Sequence, residues 1–396
     1  MKAVAAFIAA QAVLAACWIY PSEVLPHAAT TNTVLFDREI VRILNEHCVM
    51  CHVAGGPSFS LATYEETWLR RESSYDQILA RHMPPWAAVP GYGEFANANT
   101  LTLREKRFIV SWVEGLGPRN TGTVFLNVPD PEAASREEIS AQIDFDAWEL
   151  GEPDLNVSLP ATVPATITTR EAPTRVQRSV VDLGLTSESW LSALEYQPEN
   201  RSAIRAAVFT LDATGQWLAT WTPWHGFHRL PEHIAYRVAA GDRIVAEIHT
   251  TEPGQAIVEP GRLGLHFAAS PAPVSPFDIV LIASGEIPAD ATAHRLQAET
   301  QLAANAQVLA LWPALPAGVA SIEVSATLPN GGVEILLFAV DVPLDWPTPY
   351  IYATPVDLPS GSRLSLTAYV SNSTPVPVGR QVQLTMSVAQ DLSEDD

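Results

Sequence analysis

The spacing of hydrophobic positions changes partway along the chain. Between residues 30 and 118 apolar side chains recur at helical intervals. In FDREIVRILNEHC, Phe36, Ile40, Ile43 and Leu44 fall on one helical face. In LTLREKRFIVSWVEGLG, Phe108, Ile109, Trp112 and Val113 form a second stripe. Thr102 with Glu105 three residues on reads as a capping box, and Gly115 is placed to stop that helix. From about residue 155 the period becomes two. DRIVAEIHT (242–250), GRLGLHF (261–267), ASIEVSATL (320–328), VEILLFAVDV (333–342), RLSLTAYVS (363–371) and QVQLTMSV (381–388) read as strands. Turn signals stand between them: EPG at 252–254, PNGG at 329–332 and PSGS at 359–362. Such spacing predicts β sandwiches. Breaks at SPAPVSP and IPADATA, near 270–295, divide two of them. Between the helical and β parts, residues 119–150 are weakly periodic and carry PDPEAASREE, which reads as a connector.

Composition agrees with a multidomain globular chain. It has 396 residues, 47% hydrophobic and 17% charged, enough for two or three cores. Thirty-two prolines favour the β reading of the later part. The formal net charge of −21 argues against nucleic acid and anionic membrane surfaces as partners, and favours basic proteins. Plain solubility explains the same charge equally well.

The first 20 residues read as a targeting segment. Lys2 gives a basic start and Ala3 to Ala16 is apolar, too short for a confident membrane span. Leu14-Ala15-Ala16-Cys17 resembles a bacterial lipoprotein cleavage box, which makes Cys17 a lipid-anchored first residue. Ordinary cleavage nearby, or an uncleaved anchor running through Trp18-Ile19-Tyr20, are the other readings. Each of them exports the protein, and a periplasmic location is expected; contact with a membrane is confined to this end.

The chain has three cysteines. Cys48 and Cys51 fall in NEHCVMCHVAGG, where His52 follows at once. C-x-x-C-H is the attachment signature of a c-type haem. Cys48 and Cys51 would form the two thioethers and His52 would hold iron from one side, leaving no cysteine pair for a disulfide. The opposite axial position needs a donor, and methionine is the usual soft one. Of four methionines, Met1 leaves with the export segment, Met50 lies inside the motif and Met386 lies far along the β part. Met83 in ARHMPPW remains, with two prolines that hold the chain extended. His82 next to it is the rival, and His47 a weaker one on the preceding helix. Six-coordinate iron of this kind transfers electrons and leaves no open position for oxygen.

CHVAGGPSFSLATYEET (51–67), RHMPPW (81–86) and GYGEFANANTLTLREKRFIVSWVEGLGP (91–118) resemble the cytochrome c domain at the front of bacterial proteins related to copper type II, ascorbate-dependent monooxygenases. LGEPDLNVSLP, WLSALEYQPENRSAIRAAVF, AGDRIVAEIHTTEPG, LPNGGVEILLF and YVSNSTPVPVGRQVQLTM are similar to the two tandem jelly rolls of the peptidylglycine-hydroxylating type. The resemblance covers nearly everything after about residue 35. Behind the export segment, set at 1–28, it implies a small all-α cytochrome c domain at 32–120 and a linker at 121–154. Two all-β jelly rolls follow, at 155–272 and 273–392.

The resemblance also implies one copper per jelly roll, and here the sequence departs from the pattern. Where a His-His pair should follow PENRSAI stand Arg205 and Ala206. Where Pro-His-Met-His is expected, the chain reads Pro313-Ala314-Leu315-Pro316. The later strand histidine and the late methionine remain as His249 and Met386. One imidazole and one thioether in different domains make no tight copper site, so copper is expected to be absent. The bland reading makes both of them core residues. A rearranged site using His225, His228, His233 or His266 is the alternative, and would make the chain a copper monooxygenase fed by its own haem. Trp221 and Trp224 invite an electron path, but eleven tryptophans in the chain make packing the simpler account. The expectation is an exported monohaem electron-transfer protein. Its β body would be a scaffold or docking module. Its redox partner would be a basic protein or a catalytic copper monooxygenase relative.

Overall fold

The computed structural model describes residues 33–120, 147–162, 165–168, 173–250, 259–269, 274–344 and 346–390. The expected export segment with Cys17, the turn at 252–254 and most of the expected linker lie outside the described residues.

A π-helical turn, Phe36–Ile40, runs directly into helix α1 (Val41–His47). Helix α2 spans Tyr64–Leu79 and helix α3 spans Leu103–Glu114. Both expected apolar stripes turn inward. Phe36, Ile40, Ile43 and Leu44 share one buried cluster with Ile109 and Trp112, and Phe108 and Val113 pack against it half-buried. The Phe36 ring stands 5.3 Å from Tyr64 and 6.0 Å from Trp112, tying the three helices together. The box opening α3 is closed: Glu105 N donates to Thr102 Oγ1 at 3.2 Å and Thr102 N donates to Glu105 Oε2 at 2.7 Å. Gly115 is its C-cap. Thr63 and Glu66 form the same box at the start of α2. That T-x-x-E spacing was the available signal for α2, whose mostly exposed surface carries no strong apolar stripe.

The rest of the described chain is antiparallel β sandwich of jelly-roll type. One sheet of the first sandwich runs β2 (Ala165–Thr168), β3 (Pro173–Asp182), β9 (Arg243–Thr250), β5 (Ile204–Leu211), β6 (Trp217–Trp221). Its other sheet runs β1 (Leu155–Ser158), β10 (Arg262–Phe267), β4 (Ser189–Gln197), β7 (Phe227–Arg229), with β8 (Tyr236–Val238) also beside β4. In the second sandwich β11 (Phe277–Ile287), β18 (Val378–Ala389), β13 (Ala306–Ala314) and β16 (Tyr350–Leu358) face another sheet. That sheet runs β12 (His294–Gln301), β17 (Arg363–Val370), β14 (Val319–Thr327), β15 (Val333–Val340). The six strands read from alternation appear as β9, β10, β14, β15, β17 and β18. The PNGG turn closes β14 to β15, with Gly331 at φ +85°. Strands β4 and β5 were not legible by alternation because they are buried along nearly their whole length. Val208 and Trp217 of the first sandwich pack with Ala310 and Ile351 of the second, so one sheet has apolar neighbours on both faces.

The segment after Met83 leaves the helices and joins the second sandwich. Val89 N donates to Phe338 O at 2.8 Å, Val340 N to Ala87 O at 3.1 Å and Ala96 N to Ile351 O at 2.7 Å. Trp86 packs edge-on against Tyr350 at 5.2 Å inside that sandwich's core. The Asn97 side chain donates to Pro349 O at 2.7 Å and accepts from Ile351 N at 3.0 Å. Helices and second sandwich therefore share a continuous hydrogen-bonded seam.

Candidate functional site

Helix α1 ends at the Cys48-x-x-Cys51-His52 turn. Cys48 N still donates to Leu44 O at 2.9 Å, and His52 N to Cys48 O at 2.9 Å. The chain then folds back so closely that a Cβ on Gly56 would lie 2.5 Å from Cys51 O, which makes glycine necessary there. His52 reaches Phe59 O through Nδ1 at 2.9 Å, and the two rings lie 4.7 Å apart. A carbonyl oxygen only accepts, so Nδ1 carries the hydrogen and Nε2 keeps its lone pair. Burial lowers the His52 pKa, against a smaller opposing push from that hydrogen bond. The ring is thus held neutral and oriented, the state that binds metal.

Cys48, Cys51, His52 and Met83 line one cavity of about 440 Å³. This is within the usual range for cofactor pockets, roughly 300–1,000 Å³. Its deeper wall is apolar, with Ile40, Leu44, Leu61, Ile109 and Trp112. Burial pushes both thiols up to about 12; Cys51 and Glu105 add to the effect at Cys48, and Arg201 opposes it at Cys51. Thiols of this kind stay protonated at neutral pH, which suits neither a nucleophile nor a thiolate metal site. An uncharged thioether suits such burial well. Met83 is 38% exposed at the rim. Of its two rivals, His82 is exposed with Nδ1 near Gln77 Oε1 at 3.2 Å and does not line the cavity. His47 does line it, but its ring nitrogens face Asn99 Oδ1 at 3.3 Å and Glu105 Oε1 at 3.4 Å.

The β body contributes to the same cavity. Arg205 and Trp346 complete its lining, with the Arg205 guanidinium 5.6 Å from the Trp346 ring centre. Arg205 is the extra residue of a bulge: Ile204 faces Thr250 and Ala206 faces His249. Sequence reasoning placed Arg205 at a lost copper position; its place beside the cysteines depends on chain packing between distant segments.

The expected copper remnants lie apart. His249 sits on β9 opposite Ala206 and Val176, and burial holds its pKa down to about 4. Met386 is fully buried in the second sandwich, opposite Ile279 and Leu311. His225 and His228 are also held neutral by burial, with pKa values of about 4 and about 3. Among the described residues, the three His, Cys, Asp or Glu side chains that gather with ligand atoms within 4.8 Å of one another are Glu46, His47 and Glu105. The histidines at 225, 228, 233, 249 and 266 form no such group of three. No helix among the described residues is long and apolar enough to cross a membrane.

No protein-family model matches the chain, and no curated protein matches it in sequence. Among solved structures, the major capsid protein P2 of bacteriophage PM2 overlaps 61% of this chain and 99% of its own, at 10% identity and a TM-score of 0.25. The infectious bursal disease virus Gx strain structure overlaps 59% of this chain and 74% of its own, at 9% identity and a TM-score of 0.20. Overlaps this shallow carry no argument about activity.

Proposed function

We propose that the chain is an exported monohaem c-type cytochrome that transfers electrons, with a copper-free, jelly-roll β body. The observation that carries this reading is the convergence of Cys48, Cys51, His52 and Met83 on one apolar cavity. When bound, the haem supplies a one-electron couple at its iron. Cys48 and Cys51 would attach the group through uncharged thioethers. His52 would hold the iron through Nε2, with its Nδ1–H donated to Phe59 O fixing the tautomer. Met83 would supply the second axial donor, a thioether, from the rim, and the apolar wall would pack against the porphyrin. The acidic exterior favours a basic redox partner or a catalytic copper monooxygenase relative. The N-terminal segment would deliver the chain to the periplasm, with Cys17 as its lipid anchor. Mass spectrometry of the denatured chain from a cytochrome c-maturing host tests the reading. The expected mass includes one haem, absent from the Cys48→Ala/Cys51→Ala variant; a wild-type chain without added mass contradicts it.

A further inference from the structure

We propose that Arg205, on the first sandwich, binds a carboxylate of the haem held at Cys48, Cys51 and His52. The position where the resembled family would place copper would then serve as part of the haem site. This inference rests on the haem reading.

The lining of the cavity points to an anionic group. The chain has 44 acidic residues, yet among the described residues lining this cavity there is no Asp or Glu. Its lining includes two guanidinium groups, Arg71 and Arg205. Arg71 faces it from helix α2, where it donates to Trp68 O at 2.8 Å and to Glu72 Oε1 at 3.0 Å, and stacks on Trp68. Arg205 comes from the β body, near the start of β5. A bulge inserts it, and bulges re-aim a side chain out of the regular alternation. The edge that carries it is held in place. Arg201, four residues earlier, donates to Pro223 O at 3.0 Å and stacks on Trp221 at 5.2 Å, and its charge reaches Cys51. Trp346 gives the Arg205 guanidinium a flat surface to lie on. Haem carries two carboxylates and is otherwise apolar. A planar guanidinium matches a carboxylate in a two-bond fork, which an ammonium does not reproduce.

A second consequence is electrostatic. Reduction removes one positive charge from the iron. A fixed cation at the cavity wall opposes the oxidised state more than the reduced one, and so raises the potential. Arg205 would therefore be a positioning and tuning residue, acting on the iron through space.

The test compares full-length wild type with Arg205→Gln, Arg205→Lys and Arg243→Gln, all haem-loaded. Arg243 is a surface cation paired with Asp212 at 2.6 Å, and serves as the distant charge control. Haem per chain and midpoint potential are read for each. The expected result is full haem loading in all four and a lower potential in Arg205→Gln. The expected drop is about tenfold in preference for the reduced state, which is about 59 mV for one electron. Arg205→Lys should recover part of it and Arg243→Gln should not move. A haem-loaded Arg205→Gln with unchanged potential overturns the inference and leaves the haem reading standing. An equal shift in Arg243→Gln also overturns it, because the effect would then be one of net charge. If Arg205→Gln does not fold, a wild-type potential in Arg205→Lys together with unchanged haem carboxylate signals on that substitution overturns it. A wild-type chain with no haem overturns the underlying function instead.

Discussion

The imidazole of His52 donates from Nδ1 to the carbonyl oxygen of Phe59 across 2.9 Å, leaving Nε2 as the nitrogen free to take a metal. Met83 lines the same cavity from a segment 31 positions later in the chain. The pair predicts a division of labour. Met83→Ala should keep the covalent haem, lower the midpoint potential and open the iron to added imidazole or cyanide. His82→Ala, outside the cavity, should do none of these. Optical titration with imidazole reads both variants; equal behaviour of the two would exclude Met83 as the sixth ligand.

Stability should fall on the acid side of neutrality. Burial holds His225, His228 and His249 neutral, with pKa values of about 4, about 3 and about 4. In the unfolded chain each titrates near the ordinary histidine value of about 6.5. The unfolded state therefore binds more protons below pH 6.5. The stabilising effect is fully present above that value and is lost as pH falls from about 6.5 towards 4 and 3. Each group contributes on the order of a few kcal/mol over that range. Denaturant unfolding at pH 7.5 and pH 4.5 measures the loss. His228 Nε2 has no hydrogen-bond partner among the described residues, so His228→Phe should flatten the pH dependence with little cost at pH 7.5.

The seam between helices and β body predicts that a core substitution in one will be felt in the other. Trp86 is buried against Tyr350 and Phe95, three residues after Met83. Trp86→Ala should cost about 3–5 kcal/mol, the usual range for removing a large buried aromatic side chain. It should also lower the potential, because Met83 loses the anchor of its own segment. Thermal unfolding followed together with the potential checks both. A destabilised chain with an unchanged potential would show that Met83 is held by the helices alone.

Gly56→Ala tests the turn that brings His52 into place. The added Cβ meets backbone, at 2.5 Å from Cys51 O and 3.1 Å from Val53 O, so neither neighbour can simply rotate away. Lower stability by about 1–3 kcal/mol and poor haem attachment are expected. Gly55→Ala is not a matched control, because Gly55 has φ +80°. Haem yield per chain, measured beside Ser58→Ala on the same loop, gives the comparison.

Local chemistry made much of this molecule legible in advance. The faces of α1 and α3 follow from Phe36, Ile40, Ile109 and Trp112, because each helix buries one stripe. The Thr102–Glu105 box is written in two residues. Strands with one wet face alternate and were readable, as at Leu364, Leu366 and Ala368. Strand β5 was not, since Val208 meets the other sandwich while Phe209 fills its own core. The seam at Trp86–Asn97 was also hidden. Its backbone partners lie some 250 positions away, and YGEFANAN has no period to announce them. That the cysteines, His52 and Met83 would lie together was legible from motif and donor chemistry, and the four line one cavity. Arg205 could be named as a departure from a pattern, but its place at the cavity rests on a bulge and on packing between distant segments.

The most direct measurement is iron, haem and copper per chain, on full-length protein from a cytochrome c-maturing host supplied with copper. The account predicts one iron and one covalent haem per chain, with no copper retained after dialysis. Tightly held copper, or a chain without haem, would contradict it.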